Sequence, residues 1–574
     1  MTVDKETNQV KLGTFIFERL SQIKDFHSVF GVPGDFNLPL LEHIYNVPSL
    51  NWIGNCNELN AGYAADGYAR VNGVGALITT FGVGELSAIN AISGAFTEGA
   101  GVIHIVGTSS TISKRSTTPL GVHHLIPNKN TWDRSQDHFT YEKMVEPFCC
   151  VSETLDDTKL DQVQSQIDNV IEQVAKQSRP GYLFVPVNMA NMDISVDPKK
   201  RLNFKTYRSD KQQAKELASV ILERLYATET AIVGDQWFKT RRHKLNKFIK
   251  ENGFHCFSTF LGKSVIDENQ EHFHGVIAGE LSTEGSLQVL NQFDAVLHLG
   301  VNHNEMNNFR NWSPSQHVKN VMEIGKDYVR IDNQLYTYVD GELVFDELVI
   351  QFDSTRLLKK KEIIPRLSQN LPELDKSANV SQKSLFQTVQ TYLRPNDVVV
   401  CEMCSFLFAI PDLKFPQNIT FVTQNFYGSI GYALPATLGA SLAVKDDNSN
   451  RRVLLIEGDG SSQMTIQELS SLTRYNVKPT VLLLNNEGYS VERIVLGPER
   501  PYNDIQPNWQ WTSLLKAFGD TDEKKSVNIR VDSTLALEKA LNREDDRLKF
   551  IEIAGLNKLD VPWRFAYLCG KHDN

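Results

Sequence analysis

The chain has 574 residues, 41% of them hydrophobic and 22% charged, with a formal net charge of -10 at pH 7. That length exceeds one hydrophobic core and points to about two to four domains, the composition is globular, and the acidic balance argues against a nucleic-acid partner, which needs a basic face. Seven cysteines without regular spacing do not make a disulfide framework, and the lone pair Cys401 and Cys404 has no second Cys or His pair to complete a zinc site. The start, MTVDKETNQVKLG, lacks the marks of a secretory signal or transit peptide, and no apolar run approaches the roughly 20 residues that span a bilayer. A cytoplasmic protein acting on a small molecule, with no membrane or nucleic-acid partner, is the expectation.

Residues 13–25 have helical apolar spacing, and the strand-like segment from Ser28 ends at Pro33-Gly34-Asp35, a carboxylate just past a strand. Asn51 to Ile53 reads as a strand, and Glu58 opens a helix of small residues, ELNAGYAADGYARV, whose alanines and glycines permit close packing. Strand Ala76 to Thr80, helix Gly84 to Glu98 and strand Val102 to Val106 follow, so the first 190 residues form one α/β domain. GVGELS at 82–87 follows a strand and opens a helix, but the third glycine of the dinucleotide fingerprint is missing. The next strand also ends without the acidic residue that would hold a ribose. Those glycines are read instead as allowing close approach of a subunit or ligand.

A second α/β pattern runs from about Phe204 to Asp353, with strands at Ala231 to Val233, His255 to Phe257, Ala295 to Leu299 and Tyr328 to Ile331. It contains no cluster of titratable residues that reads as a site. Lys359 to Ser381, charged and carrying two prolines, reads as a linker. A third α/β domain occupies the rest.

Arg451 to Glu492 carries the densest signal. Val453 to Ile456 reads as a buried strand, Gly458-Asp459-Gly460-Ser461 turns into a helical segment, and Thr480 to Leu484 is a strand ending on Asn485-Asn486. Strand, turn, helix, strand builds a parallel sheet. It puts Asp459 and Asn486, 27 residues apart, at the carboxyl ends of neighbouring strands, where open α/β sheets bind ligands. A carboxylate, an amide oxygen and a backbone carbonyl offered at the Gly488 turn suit a magnesium ion holding a diphosphate. Backbone N–H groups near Gly460 and Ser461 face the same place and favour an anion. A DG turn and an NN turn are each common alone; their placement at the two ends of one β-α-β unit points to the metal site.

The GDG…NN spacing resembles the thiamine diphosphate signature, and NNEGYSVERIVLGPERPYNDI is similar to the 2-oxo acid decarboxylases, which include pyruvate, indolepyruvate and branched-chain oxo acid decarboxylases. The resemblance covers most of the chain. It implies three α/β domains with parallel sheets in the thiamine diphosphate-binding fold: a pyrimidine-binding domain over 1–190, a middle domain over 200–355, a linker over 356–381 and a diphosphate-binding domain over 382–574. It also implies thiamine diphosphate and Mg2+ as cofactors, a 2-oxo acid substrate, and covalent catalysis that releases carbon dioxide and an aldehyde. At least a homodimer follows, with a homotetramer also open.

Residue by residue, Glu58 in GNCNELNAGYAADGYAR matches the glutamate beside the aminopyrimidine ring, where its carboxyl promotes the imino tautomer. Without that match it would read as a helix N-terminal glutamate favoured by the macrodipole. Asp35 in GVPGDFNL and the pair His123-His124 in GVHH match a proton relay; adjacent histidines on a strand point opposite ways, so one is expected to face the ligand and the other to be held by hydrogen bonds. Glu492, beyond the Gly488 turn, matches a residue assisting carboxylate departure and later protonation; taken alone it reads equally as an ion pair with Arg493. Ile430 in YGSIGYALPATLGA matches the apolar wedge between the cofactor rings, and Gly428 offers a carbonyl to the exocyclic amine. The resemblance implies Asp35, Glu58, His123 and His124 from one subunit and Asp459, Asn486 and Glu492 from another.

The substrate pocket departs from the pyruvate decarboxylase pattern. CEMCSFL at 401–407 stands where those enzymes usually read AETGTSA, which puts Met403 at a threonine position and Leu407 at a small one. Tyr427 replaces a common tryptophan, and Val491 and Val495 stand where isoleucines are frequent. Each change of a methylene or two is worth roughly 1–3 kcal/mol of discrimination, and pyruvate, branched and aromatic 2-oxo acids all stay open. GDQWFKTRR departs from the turn where some fungal relatives carry an activating cysteine. Two further readings stand beside the decarboxylase: a catalytically weak, cofactor-sensing regulator, and a carboligase of the acetolactate synthase type, though Asp35, the His pair and Glu492 suit protonation of the reacting carbon better.

Overall fold

A computed structural model of the chain describes residues 8–117, 121–129, 136–204, 210–309, 312–358, 362–365 and 374–570. Part of the expected linker, residues 359–361 and 366–373, lies outside the described residues.

Three large sheets follow one another along the chain. The first has six strands in the spatial order Asn51–Gly54, Ser28–Gly31, Gly75–Thr80, Val102–Thr108, Gly181–Pro186 and Val151–Thr154, every pair parallel. Its central strands Gly75–Thr80 and Val102–Thr108 are buried at every position, as a parallel sheet covered on both faces requires. The third sheet repeats the plan: Thr420–Val422, Val398–Cys401, Val453–Gly458, Thr480–Leu484, Leu548–Ile553 and Ser526–Val531, again all parallel.

In both sheets the first two strands pair on one side and the third strand pairs on the other. This reversal of order opens a crevice at the carboxyl ends. Asp35 follows the strand at the first reversal; Asp459 follows a strand at the second.

The middle sheet has seven strands. Five are parallel, but Tyr328–Ile331 and Gln334–Thr337 pair antiparallel at one edge. The strand expected at Tyr328 to Ile331 therefore turns back on its neighbour as a hairpin.

The first and third sheets are joined by two helices of small residues, Glu58–Asn72 and Ala433–Asp446. A Cβ on Gly67 would strike the Ala436 carbonyl oxygen, and one on Gly439 would strike that of Ala64. Backbone thus packs on backbone, and Tyr432 Oη donates to the buried Asp66 carboxylate at 2.7 Å to fix the crossing. All seven cysteines are free. No helix among the described residues is long and apolar enough to cross a membrane.

Candidate active site

The strand Val453–Gly458 leads directly into Asp459, and its parallel neighbour Thr480–Leu484 into Asn485 and Asn486, with Gly458 and Leu484 in register. The two turns open side by side. Asp459 is fully buried and accepts the N–H of Gly460 at 2.8 Å and of Gly488 at 3.1 Å. The Gly460 N–H, expected to face an anion, is thus turned onto the carboxylate, while Ser461 Oγ donates to the Gly458 carbonyl at 3.0 Å. Gly488 has φ 138°, and a Cβ there would strike the Asn503 carbonyl, so only glycine lets that backbone approach Asp459.

One terminal atom of the Asn486 amide lies 2.8 Å from the Gly488 carbonyl oxygen and 3.2 Å from Asp459 Oδ1; the other lies 2.6 Å from Ser490 Oγ. Ser490 Oγ donates its single proton to the Lys558 carbonyl at 2.9 Å. It then accepts from Asn486 Nδ2, which turns the amide oxygen toward Asp459 and Gly488. Three oxygens converge with no proton between them, a set that a hard cation satisfies. In the alternative orientation of the amide its nitrogen would instead donate to both oxygens. Burial pushes the Asp459 carboxyl up to about 7; a cation at these oxygens would favour the carboxylate again.

Gly428 and Ile430 sit in a turn held by two buried carboxylates. Glu402, one residue beyond the strand Val398–Cys401, accepts the N–H of Gly431 at 3.1 Å and of Ala433 at 2.9 Å through Oε2, and that of Met403 at 2.8 Å through Oε1. From the first domain, Glu98 Oε1 accepts the N–H of Phe426 at 2.7 Å and of Tyr427 at 2.9 Å. Gly428 has φ 67° and Gly431 φ 90°, so the chain reverses twice around Ile430, which stays half-buried. Met403 Cε lies 3.5 Å from where a Gly428 Cβ would be. Burial pushes Glu402 up to about 7.

At the first sheet, His123 Nε2 lies 2.6 Å from Asp35 Oδ2 and His124 Nε2 lies 3.6 Å from Asp35 Oδ1. Both rings face one carboxylate, which corrects the expectation that they point opposite ways. The alternation rule fails because the pair lies on a loop and His124 has φ 70°. Gly82 makes room for it: a Cβ there would strike the His124 carbonyl oxygen. Tyr141 Oη donates to that same oxygen at 2.8 Å. Gly82 of GVGELS therefore serves the histidine loop, while Gly84 lies against Glu58 and Thr80.

Glu58 opens its helix behind Asn57, whose side chain accepts the N–H of Asn60 at 2.8 Å. Glu58 Oε1 lies 3.0 Å from where a Cβ on Gly84 would be, within its own domain. Glu492 lies exposed on the short helix Ser490–Val495. Arg493, its neighbour, is buried instead and donates to Asn486 O at 3.1 Å, Glu487 O at 2.7 Å and Asp504 Oδ1 at 2.6 Å. The ion pair that a Glu492-Arg493 neighbourhood suggests is thereby replaced by a clamp on the Asn486 turn. Among the described residues no hydrogen bond or ion pair joins Asp35, Glu58, His123 or His124 to Asp459, Asn486, Gly488 or Glu492.

Sequence reasoning missed Glu402, Glu98 and Glu468. Glu468 is fully buried and accepts from Asn55 Nδ2 and Asn60 Nδ2, each at 2.8 Å, tying the start of the Glu58 helix to the third domain. Glu402 had a readable signal, a carboxylate just past a strand like Asp35 and Asp459. The other two had none, since their partners lie more than three hundred residues away.

Three models of one family match successive parts of the chain: the N-terminal TPP binding domain of thiamine pyrophosphate enzymes at residues 10–130, the central domain at 222–341 and the C-terminal TPP binding domain at 404–553. A transaminated amino acid decarboxylase of Saccharomyces cerevisiae is 37% identical over 98% of this chain and 95% of its own length. Pyruvate decarboxylase isozyme 3 of the same yeast is 34% identical over 92% of this chain and 91% of its own. Among solved structures, a Rhodococcus jostii RHA1 thiamine diphosphate-dependent 4-hydroxybenzoylformate decarboxylase superposes with a TM-score of 0.73 at 17% identity, covering 96% of this chain and 100% of its own. That likeness is one of fold.

Proposed function

The chain belongs to the thiamine pyrophosphate-dependent decarboxylase family, and from that premise we propose that it converts a 2-oxo acid to an aldehyde and carbon dioxide with thiamine diphosphate and Mg2+. The observation that carries the reading is the convergence of Asp459, Asn486 and Gly488 oxygens. These three would hold Mg2+, and with it the diphosphate, near Gly460 and Ser461. Ile430 would support the bent cofactor, with the Gly428 carbonyl and Glu58 at its pyrimidine. When bound, the cofactor supplies the electron sink into which the bond to carbon dioxide breaks.

The chain's own residues do the rest. Glu58 holds a proton at the pyrimidine edge, and the buried clamp of Glu402 fixes the height of Ile430. Asp35 and His123, 2.6 Å apart, pass a proton between Oδ2 and Nε2, and His124 adds a second imidazole to the relay. Glu492 assists departure of the carboxylate and later protonation. From the family arrangement, which sets Asp35, Glu58, His123 and His124 of one subunit against Asp459, Asn486 and Glu492 of another, we read the protein as at least a homodimer whose sites form between subunits. The domains are assigned to 1–190, 200–355 and 382–574. Seven free cysteines accord with a cytoplasmic location.

For the substrate, Met403 puts a flexible apolar side chain beside Gly428 at the cofactor turn, while Leu407 is fully buried in the core of the third domain. A relative named for transaminated amino acids adds support for branched and aromatic 2-oxo acids alongside pyruvate. The test is purified protein with Mg2+ and thiamine diphosphate, offered pyruvate, 4-methyl-2-oxopentanoate, phenylpyruvate and indolepyruvate. Aldehyde and carbon dioxide from at least one are expected. Cofactor binding without either product from any of them overturns the proposal in favour of a regulator, and hydroxy-ketone products in favour of a carboligase.

A further inference from the structure

Two imidazoles and one carboxylate meet beside the first sheet, and the proton relay assigned to them uses only part of what that arrangement can do. One ring nitrogen of His123, one of His124 and a carboxylate oxygen of Asp35 all lie within 4.8 Å of one another. A tetrahedral ion with bonds of about 2.0–2.1 Å sets its ligand atoms roughly 3.3 Å apart. The His124 separation of 3.6 Å is close to that spacing, whereas the 2.6 Å contact of His123 is a hydrogen bond that an entering ion replaces. We propose that Asp35, His123 and His124 form a binding site for Zn2+ or a similar late first-row divalent cation, which shuts the relay when it is occupied.

The loop is built to hold both rings in place. Gln136 frames it, accepting from Val122 N at 2.6 Å and donating to the carbonyls of Val122 and Leu125, each at 2.9 Å. Tyr141 pins His124 from behind. The Phe36 ring sits 4.9 Å from the His123 ring and 6.0 Å from that of His124, walling one side. The other side is open: Asp35 is 52%, His123 62% and His124 27% exposed, so water or a substrate carboxylate can complete the coordination shell.

Two nitrogens and one oxygen form the ligand set of non-haem divalent sites, and affinity for such a set rises along the first row toward copper and zinc. Mg2+ prefers six oxygens and dehydrates reluctantly. The two sites of the protein therefore sort cations, Mg2+ to the Asp459 turn and Zn2+ to the histidine loop. An occupied loop has no free Nε2 to carry a proton. This last consequence rests on the relay reading of the same residues, whereas the metal site does not.

The test uses the full-length protein in excess Mg2+, titrated with Co2+ as a visible stand-in for Zn2+. One equivalent is expected to bind with the absorption of a Co2+ site bearing nitrogen ligands, at least tenfold more weakly in His123→Ala and in Asp35→Asn. Both side chains are exposed, and circular dichroism checks that the variants fold. His272→Ala serves as the control, since His272 stacks on His255 at 4.4 Å in a separate histidine group of the middle domain; it should bind as the wild type does. No binding, or binding unchanged in His123→Ala, overturns the site. Zn2+ should also inhibit turnover at saturating Mg2+; binding without inhibition overturns the shutting of the relay and leaves the site standing.

Discussion

Glu402 and Gly431 are joined by a 3.1 Å hydrogen bond from backbone to buried carboxylate, so the turn bearing Ile430 is anchored to the strand beside it. A second bond from Ala433 uses the same oxygen. Replacing Glu402 with alanine leaves buried N–H groups unpaired, at about 1–3 kcal/mol each, and should lower cofactor affinity by moving the turn. Thermal melts with and without thiamine diphosphate check both effects.

The same carboxyl gives a pH prediction. Its folded pKa is raised by burial to about 7, above the ordinary carboxylate range, so the folded state holds the proton more tightly than the unfolded one. This contribution to stability is fully present below about pH 4.5 and fades as pH rises through about 7. Glu402→Gln removes it. The difference in melting temperature between variant and wild type should therefore shift in favour of the variant between pH 5 and 8; a difference independent of pH would contradict it.

Asp459 titrates in the same window for another reason. Burial holds it near 7 without a cation, and Mg2+ must compete with that proton. Apparent Mg2+ affinity measured by calorimetry should fall about tenfold for each pH unit below 7 and flatten above it. Asp459→Asn should remove both the pH dependence and most of the binding.

Glu58→Gln keeps the shape of the helix start and removes the acid. Turnover is expected to drop by about 10²–10⁴, while Mg2+ binding at the Asp459 turn, a different domain, stays intact. Undiminished turnover would refute the role given to Glu58.

Gly439→Ala tests the helix pair. The added methyl meets the Ala64 carbonyl, and separating packed backbones costs about 1–3 kcal/mol or more. A lowered melting temperature with unchanged metal binding is expected.

Much of this was legible from the chain. The apolar runs at Ala76 to Thr80 and Thr480 to Leu484 are buried strands, because a doubly covered parallel sheet writes itself as continuous hydrophobicity. Asp459, Asn486 and Gly488 come together because turn chemistry and strand ends are local facts. The histidine pair was misjudged: strand alternation does not govern a loop where His124 takes a left-handed φ. The hairpin at Tyr328 was invisible, since pairing direction leaves no mark on a short apolar run. Glu98 and Glu468 act on backbone and amides far along the chain, and no spacing rule reaches that distance.

Glu468 also bears on how this architecture can be recombined. Its two oxygens grip Asn55 and Asn60 on either side of Glu58, so the third domain helps set where the first domain's helix begins. A chimera that takes one domain from a relative inherits half of this joint. Positions 55, 60 and 468 form one hydrogen-bonded joint, and domain exchange at the linker should preserve all three together or replace all three.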